Sequence, residues 1–219
     1  MGVSRYSLKA RTFVETNGWF TSFSEVSRRL GVHFRRRMLA RMLRCPTISL
    51  GPRCYLRGLR HMSIGENFSA AEGLWLEAVT FHAGQSFTPQ IVIGKNVTIS
   101  RWSHITSANR ISIADGVLIG SKVIIADHNH GEYDGPYSSP LTPPNARLLG
   151  GTKEVVIEAN VWLGDGVVVC PGSRVGEGAI IGANAVVIGV IPAFTIAAGI
   201  PARPLKKYNF ETGKWVDFR

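Results

Sequence analysis

The sequence predicts an all-β solenoid, a parallel β-helix built on a six-residue repeat, and three observations predict it. An aliphatic residue opens six consecutive hexads, at Ile157, Leu163, Val169, Val175, Ile181 and Val187. The residues beside those positions are repeatedly Gly, Asn or Asp, as in Leu163-Gly164-Asp165-Gly166 and Ile181-Gly182-Ala183-Asn184. The same spacing holds earlier, at Ile93, Ile99 and Ile105, and again at Ile113, Ile119 and Ile125. Short repeats of fixed period bury their apolar face only by stacking on neighbours, which is the logic of a solenoid. Each hexad supplies a short strand and a turn, and three make one coil. Glycine beside the aliphatic position suits a turn because it enters φ > 0 without a Cβ clash. A β-sandwich would space its strands more widely, about every 8 to 12 residues.

Composition supports one domain: 219 residues with 24 glycines, 45% hydrophobic and 18% charged, and one continuous repeat. The net charge of +10 suggests nucleic acid until it is mapped. Residues 1 to 44 hold ten Arg or Lys against Glu15 and Glu25, a net +8, while the remaining chain carries fifteen against thirteen. A nearly neutral body excludes a dedicated nucleic-acid binder. Cys45, Cys54 and Cys170 are odd in number and without metal-ligand spacing, so they read as unpaired thiols of a cytoplasmic protein. No apolar run approaches the roughly 18 to 20 residues of a spanning helix, and no compact secretory segment opens the chain.

In chain order, residues 1–47 read as a basic, partly helical arm. A helix, or two broken near Gly31, is predicted from Ser22 to Arg44, with Ser24 as a cap and Val26, Leu30, Phe34, Met38 and Met42 at helical spacing. Its basic side reads first as the solvated face of a surface helix packed on the solenoid end; the alternative is peripheral contact with an anionic membrane at the inner face. Residues 48–205 form the β-helix. Its first coils, through Ile48, Cys54, Ile64, Ala70 and Leu76, are interrupted, and a slip of two residues near Ser107 to Arg110 implies a bulged or widened corner. The ladder stops after Ile125 for a polar, proline-rich loop at 127–152, and a loop this long in a compact fold points to function. The tail, 206–219, reads as a hairpin or extended strand that covers the solenoid's open edge.

The repeat, the Val161-Trp162-Leu163-Gly164 sequence and the closing Ala198-Gly199-Ile200-Pro201-Ala202-Arg203-Pro204 resemble the hexapeptide-repeat acyltransferases. Within that group the chain looks most like sugar O-acetyltransferases related to the galactoside, maltose and nodulation-factor enzymes, from about Ile48 to Lys207. The resemblance implies a left-handed helix, a homotrimer and acetyl-CoA as cosubstrate. It implies transfer of acetyl to a saccharide hydroxyl, in O-antigen, capsule or exopolysaccharide synthesis. Other readings are acetylation of a nucleotide-linked amino sugar, serine or an antibiotic, and a non-catalytic solenoid binding module.

Acetyl transfer from a thioester needs a base, and neutral histidine has a suitable unperturbed pKa of about 6.5. His128 and His130 sit where the ladder breaks into the loop. Matching that segment to the family's catalytic strand and loop places His130 as base, with His128 as the alternative, and Asp127 or a carbonyl as the group that orients it. For the coenzyme, the resemblance marks Trp162, Asp165, Ala183, Arg203 and Lys206. The two cations also suit the phosphates of CoA on charge alone. No metal is expected: His104, His128 and His130 lack a ligand spacing that defines a zinc site. Where several family members carry an acceptor-binding asparagine, this chain has Arg101-Trp102-Ser103-His104, and Trp102 becomes a candidate surface for a sugar.

Overall fold

The computed structural model describes residues 37–43, 45–134 and 138–218. The chain divides into two compact units, Met1–Leu39 and Ala40–Arg219, and the second carries the solenoid. Residues 37–42 are helical; the predicted arm helix from Ser22, with Ser24 as its cap, otherwise lies outside the described residues.

Three parallel sheets form the walls of a prism, and the chain visits each wall once per coil. The first wall stacks Ser49–Leu50, Ser69–Ala70, Thr98–Ile99, Leu118–Ile119, Trp162–Leu163, Ile180–Ile181 and Thr195–Gly199. The second stacks Tyr55–Arg57, Trp75–Ala78, His104–Ser107, Ile124–Ala126, Val168–Val169 and Val186–Val187. The third stacks Met62–Ile64, Gln90–Ile93, Arg110–Ile113, Val155–Ile157, Arg174–Val175 and Val190–Ile191. Trp162 pairs with Ile180, three hexads along, as one coil of three repeats requires.

The core is a column of aliphatic side chains. Ile93, Ile99, Ile119, Ile125, Leu163, Val169 and Val175 are all buried, and so are the residues two before most of them, Val97, Val117, Val123, Val161 and Val167. Each hexad therefore points two side chains inward. The irregular opening is also laddered: Ile48, Cys54, Ile64, Ala70 and Leu76 are buried, and Ser69 pairs with both Ser49 and Thr98.

The glycine that follows the aliphatic position has a different task from the one its conformational freedom suggests. Positive φ falls two residues later, at Asn96, Lys122, Asn160, Gly166, Gly178 and Asn184, whereas Gly94, Gly120, Gly164 and Gly182 are not among the positive-φ residues. What they supply is closeness between coils. A Cβ on Gly164 would lie 2.7 Å from the Ala183 amide nitrogen, and one on Gly120 would lie 2.7 Å from that of Asp165.

Departures from three hexads per coil gather at one corner, between the second and third walls. There the chain adds a hairpin, Phe81–His82 with Gln85–Ser86, then the two residues Ala108 and Asn109, then the segment from Asp127 to Glu154. The predicted slip is thus a corner widened by two residues. Beyond the last coil, Ala202–Asn209 runs antiparallel to Thr195–Gly199 and Lys214–Asp217 pairs with it in turn, so the tail is a hairpin on the first wall. Its Tyr208 ring lies 5.0 Å from Phe210 and 5.3 Å from Trp215, and Phe210 meets Phe194 at 5.0 Å. The pairing of Ala202–Asn209 with Thr195–Gly199 covers the edge that the first wall would otherwise expose.

Candidate functional site

Asp127 is the first residue after the second wall's strand in its coil, and its side chain is wholly buried. A buried carboxylate needs partners. The widened corner one coil earlier provides them: the Ala108 amide donates to Oδ1 at 2.8 Å, the Asn109 amide to Oδ2 at 2.9 Å, and Ser107 Oγ to Oδ2 at 2.5 Å. The two inserted residues therefore supply the two backbone donors. Burial pushes the Asp127 carboxyl up, but the bonds from His128, Ser107, Ala108 and Asn109 outweigh it and hold the group below the usual carboxylate range.

The remaining partner of Asp127 is the imidazole of His128, whose Nδ1 lies 2.8 Å from Oδ1 and whose side chain is only 9% exposed. An ionised carboxylate only accepts, so Nδ1 carries the hydrogen and the neutral ring keeps its lone pair on Nε2. Nε2 has no protein partner among the described residues and is not sealed from the surface. A fixed tautomer with an open Nε2 is the geometry of a general base.

His130 sits differently. It is exposed, pairs with Leu149 in the short antiparallel ladder of Asn129–His130 with Leu149–Gly150, and its ring meets that of His82 edge-on at 5.2 Å. His82 Nε2 in turn lies 3.1 Å from the Arg147 carbonyl, and Gln85 Oε1 accepts from the Leu149 amide at 2.9 Å. The hairpin at 81–86, which no sequence pattern announced, thus fastens the long loop, and His130 belongs to that fastening. A cavity of about 370 Å³ opens between the two, lined by Gln85, Glu132, Arg147 and Leu149 among others, and among the described residues no histidine lines it.

The outer side of the second wall leads away from His128. His104 occupies it, with a pKa lowered by burial, raised again by Glu77 and lowered by nearby His128. Its ring packs on Trp75 at 5.3 Å, and Trp75 packs on Tyr55 at 4.8 Å. Among the described residues no group of three or more His, Cys, Asp or Glu side chains is placed to hold a metal. Trp102 turns elsewhere: its ring lies over Gly73, with Arg53 Cζ 5.2 Å from its centroid.

The sequence-derived coenzyme residues lie on another part of the surface. Trp162 is exposed on the first wall, beside Leu118 and Ile180. Asp165 and Ala183 lie in the turns between the first and second walls, and Asp165 Oδ1 accepts from the Ser121 amide at 2.6 Å, tying one coil to the next. Arg203 and Lys206 are exposed on the strand that continues the first wall, opposite Ala198 and Ile196. The width of the second wall, about 13 Å for its four-residue strand, separates these turns from the corner of His128. Cys170 is half-buried, and burial pushes its thiol up, which suits packing rather than nucleophilic attack.

The protein is a parallel prism of six-residue repeats with an aspartate-bonded histidine at one corner, and comparison with known proteins identifies its class. The family model for the bacterial transferase hexapeptide, six repeats, matches residues 154–189. WbbJ of Escherichia coli K12, named for O-acetyl transfer in lipopolysaccharide biosynthesis, is 44% identical over 74% of this chain and 80% of its own length. The galactoside O-acetyltransferase of the same strain is 30% identical over 68% of this chain and 69% of its own. Among solved structures, a galactoside acetyltransferase in complex with coenzyme A superposes with a TM-score of 0.51 at 22% identity, covering 82% of this chain and 72% of that one. AntD, an N-acyltransferase of Bacillus cereus, gives 0.61 at 18% identity over 77% and 84%. The chain belongs to the hexapeptide-repeat acetyltransferases, and its solenoid is a left-handed parallel β-helix.

Proposed function

We propose that the protein transfers acetyl from acetyl-CoA to a hydroxyl of a saccharide, in O-antigen, capsule or exopolysaccharide synthesis, with His128 as general base. The observation that carries this reading is the pair formed by Asp127 and His128, which leaves His128 Nε2 open and without a protein partner among the described residues. His128 Nε2 takes the proton of the acceptor hydroxyl as its oxygen attacks the thioester carbonyl. The tetrahedral intermediate collapses by breaking the C–S bond, and His128 returns the proton to the departing thiolate. Such a base contributes about 10²- to 10⁴-fold in rate. No covalent enzyme intermediate is needed. His130, which matching to the family pattern favours, has no carboxylate partner among the described residues and is engaged with His82, so we assign the role to His128.

Arg203 and Lys206 suit the phosphates of CoA as exposed cations at the end of the ladder, and Trp162 and Ala183 suit contact with its arm. Because these residues and His128 lie on different walls of one chain, a complete site needs the His128 corner of one subunit beside the first wall of another. That favours a homotrimer with shared sites, the symmetry that closes such head-to-tail contacts. Among the described residues no helix is long and apolar enough to cross a membrane, and seven of the ten basic residues of the arm that suits a membrane surface fall on residues 1–36, outside the described residues.

Thiol release from acetyl-CoA with a panel of free, nucleotide-linked and lipid-linked sugars tests the reading. Acceptor-dependent release with saccharides supports it; release only with serine, an amino sugar or an antibiotic supports the other acceptor class. Absence of release with every acceptor refutes acyl transfer and leaves the binding module.

A further inference from the structure

The outer row of the second wall changes chemistry at His104. Toward the chain start it is aromatic, Tyr55 then Trp75 then His104; toward the chain end it is aliphatic, Ile124, Val168 and Val186. Tyr55 and Trp75 are 44% and 45% exposed, large areas for rings on a sheet. Their centroid separations of 4.8 and 5.3 Å follow the spacing between coils, which is close to the length of one pyranose residue.

A polar margin accompanies the rings. Trp75 Nε1 donates to Glu77 Oε2 at 2.9 Å, and Arg57 Nη1 donates to Glu77 Oε1 at 3.2 Å. The indole is held in place by its nitrogen, and a carboxylate and a guanidinium lie beside it on the strand. Sugars present an apolar face of C–H groups, which favours the negative face of an aromatic ring, and a rim of hydroxyls, which suits acids and guanidinium groups. The aliphatic half of the same row has neither rings nor a bonded margin. His104 links the aromatic half to the coil of the reaction centre, since it pairs with Ile124, and the strand Ile124–Ala126 leads directly into Asp127 and His128.

We infer that Tyr55, Trp75 and His104 form an extended acceptor subsite for an oligosaccharide, with the residue to be acetylated at His128 and further residues of the same chain laid along the rings. The inference rests on the saccharide reading above and sharpens it: the acceptor is an assembled glycan segment, and a lone monosaccharide uses only part of the site. Trp75 and Tyr55 are binding residues remote from the bond that forms, so their effect falls on acceptor affinity.

The test compares wild type with Trp75→Ala, Trp75→Phe and Tyr55→Ala, using acetyl-CoA with galactose, galactobiose and galactotriose and with glucose, maltose and maltotriose. In the wild type, acceptor KM falls as the sugar lengthens. In Trp75→Ala it rises about 3- to 10-fold for the disaccharides and trisaccharides, is unchanged for the monosaccharides, and is largely restored in Trp75→Phe. The KM for acetyl-CoA, kcat and the sedimentation coefficient stay at wild-type values. A length dependence that Trp75→Ala leaves untouched, or no length dependence at all while thiol release persists, overturns the subsite and spares the saccharide reading. A changed sedimentation coefficient in Trp75→Ala also overturns it, because the face is then a contact between copies of the chain. No thiol release with any sugar overturns both together.

Discussion

The buried carboxylate of Asp127 decides what its neighbour can do. It accepts bonds from the Ala108 and Asn109 amides, the Ser107 hydroxyl and the His128 imidazole, and so fixes the His128 tautomer. Asp127→Asn keeps the size but turns one acceptor into a donor. With its amide nitrogen at the Oδ1 place the side chain faces both the Ala108 N–H and the imidazole Nδ1–H, and at the Oδ2 place it faces the Asn109 N–H. Either way the set of bonds that holds the ring is broken and the carboxylate's negative charge is gone. The expected outcome is a loss of about 10²- to 10⁴-fold in kcat with the acetyl-CoA KM little changed, measured by thiol release. The same substitution also affects acid stability. Because the folded Asp127 carboxyl lies below its ordinary value, it contributes stability above about pH 3.9, and this is lost as pH falls through the lower folded value. His104 adds to acid sensitivity from a higher pH, since its pKa is also lowered and protonation therefore favours the unfolded chain below about pH 6.5. Melting temperatures across pH 3 to 7 separate the two: Asp127→Asn flattens only the lower limb. The pair of histidines was legible in the sequence as a break in a ladder, but the choice between them was not. That choice depends on two amides from residues 108 and 109, which only the register of the coils brings under residue 127.

At the level of elements, the hexad is a device for stacking coils closely. Its first and fifth positions fill the core, its fourth takes the positive φ, and its second must be small where the next coil's backbone passes. The aliphatic column was therefore read correctly from periodicity, whereas the glycine beside it was given the wrong reason. Sequence spacing locates a glycine but does not say whether φ or contact demands it. Gly164→Ala separates the two reasons, because its φ is ordinary and the cost comes only from a Cβ 2.7 Å from the Ala183 amide nitrogen. It is expected to cost about 1 to 3 kcal/mol, read as a lower melting temperature, while a substitution tolerated without any shift contradicts the close-stacking account. The hairpin at 81–86 escaped sequence reading because two strands of two residues carry no period. It became visible only where His82 and Gln85 bind the loop.

Across the whole molecule, the proposed base, His128, and the cations proposed to hold the coenzyme, Arg203 and Lys206, occupy separate parts of one prism. The fold class, the hexad ladder, the loop and the tail hairpin were legible from the chain alone because each leaves a local pattern. The division of labour between walls was not, because it depends on where three non-adjacent turns fall around the coil. It has a consequence for assembly: mixing inactive His128→Ala subunits with inactive Arg203→Ala, Lys206→Ala subunits, followed by exchange, is expected to restore part of the activity. No recovery, with exchange verified by mass spectrometry, contradicts a shared site. The account as a whole turns on which histidine takes the proton. The measurement that tests this most directly is acceptor-dependent thiol release by His128→Ala and His130→Ala side by side, with folding and assembly checked by melting and sedimentation. The expected result is loss of about 10²- to 10⁴-fold in kcat for His128→Ala and retention of most turnover in His130→Ala. Undiminished turnover in His128→Ala, or its abolition in a well-folded His130→Ala alone, contradicts it.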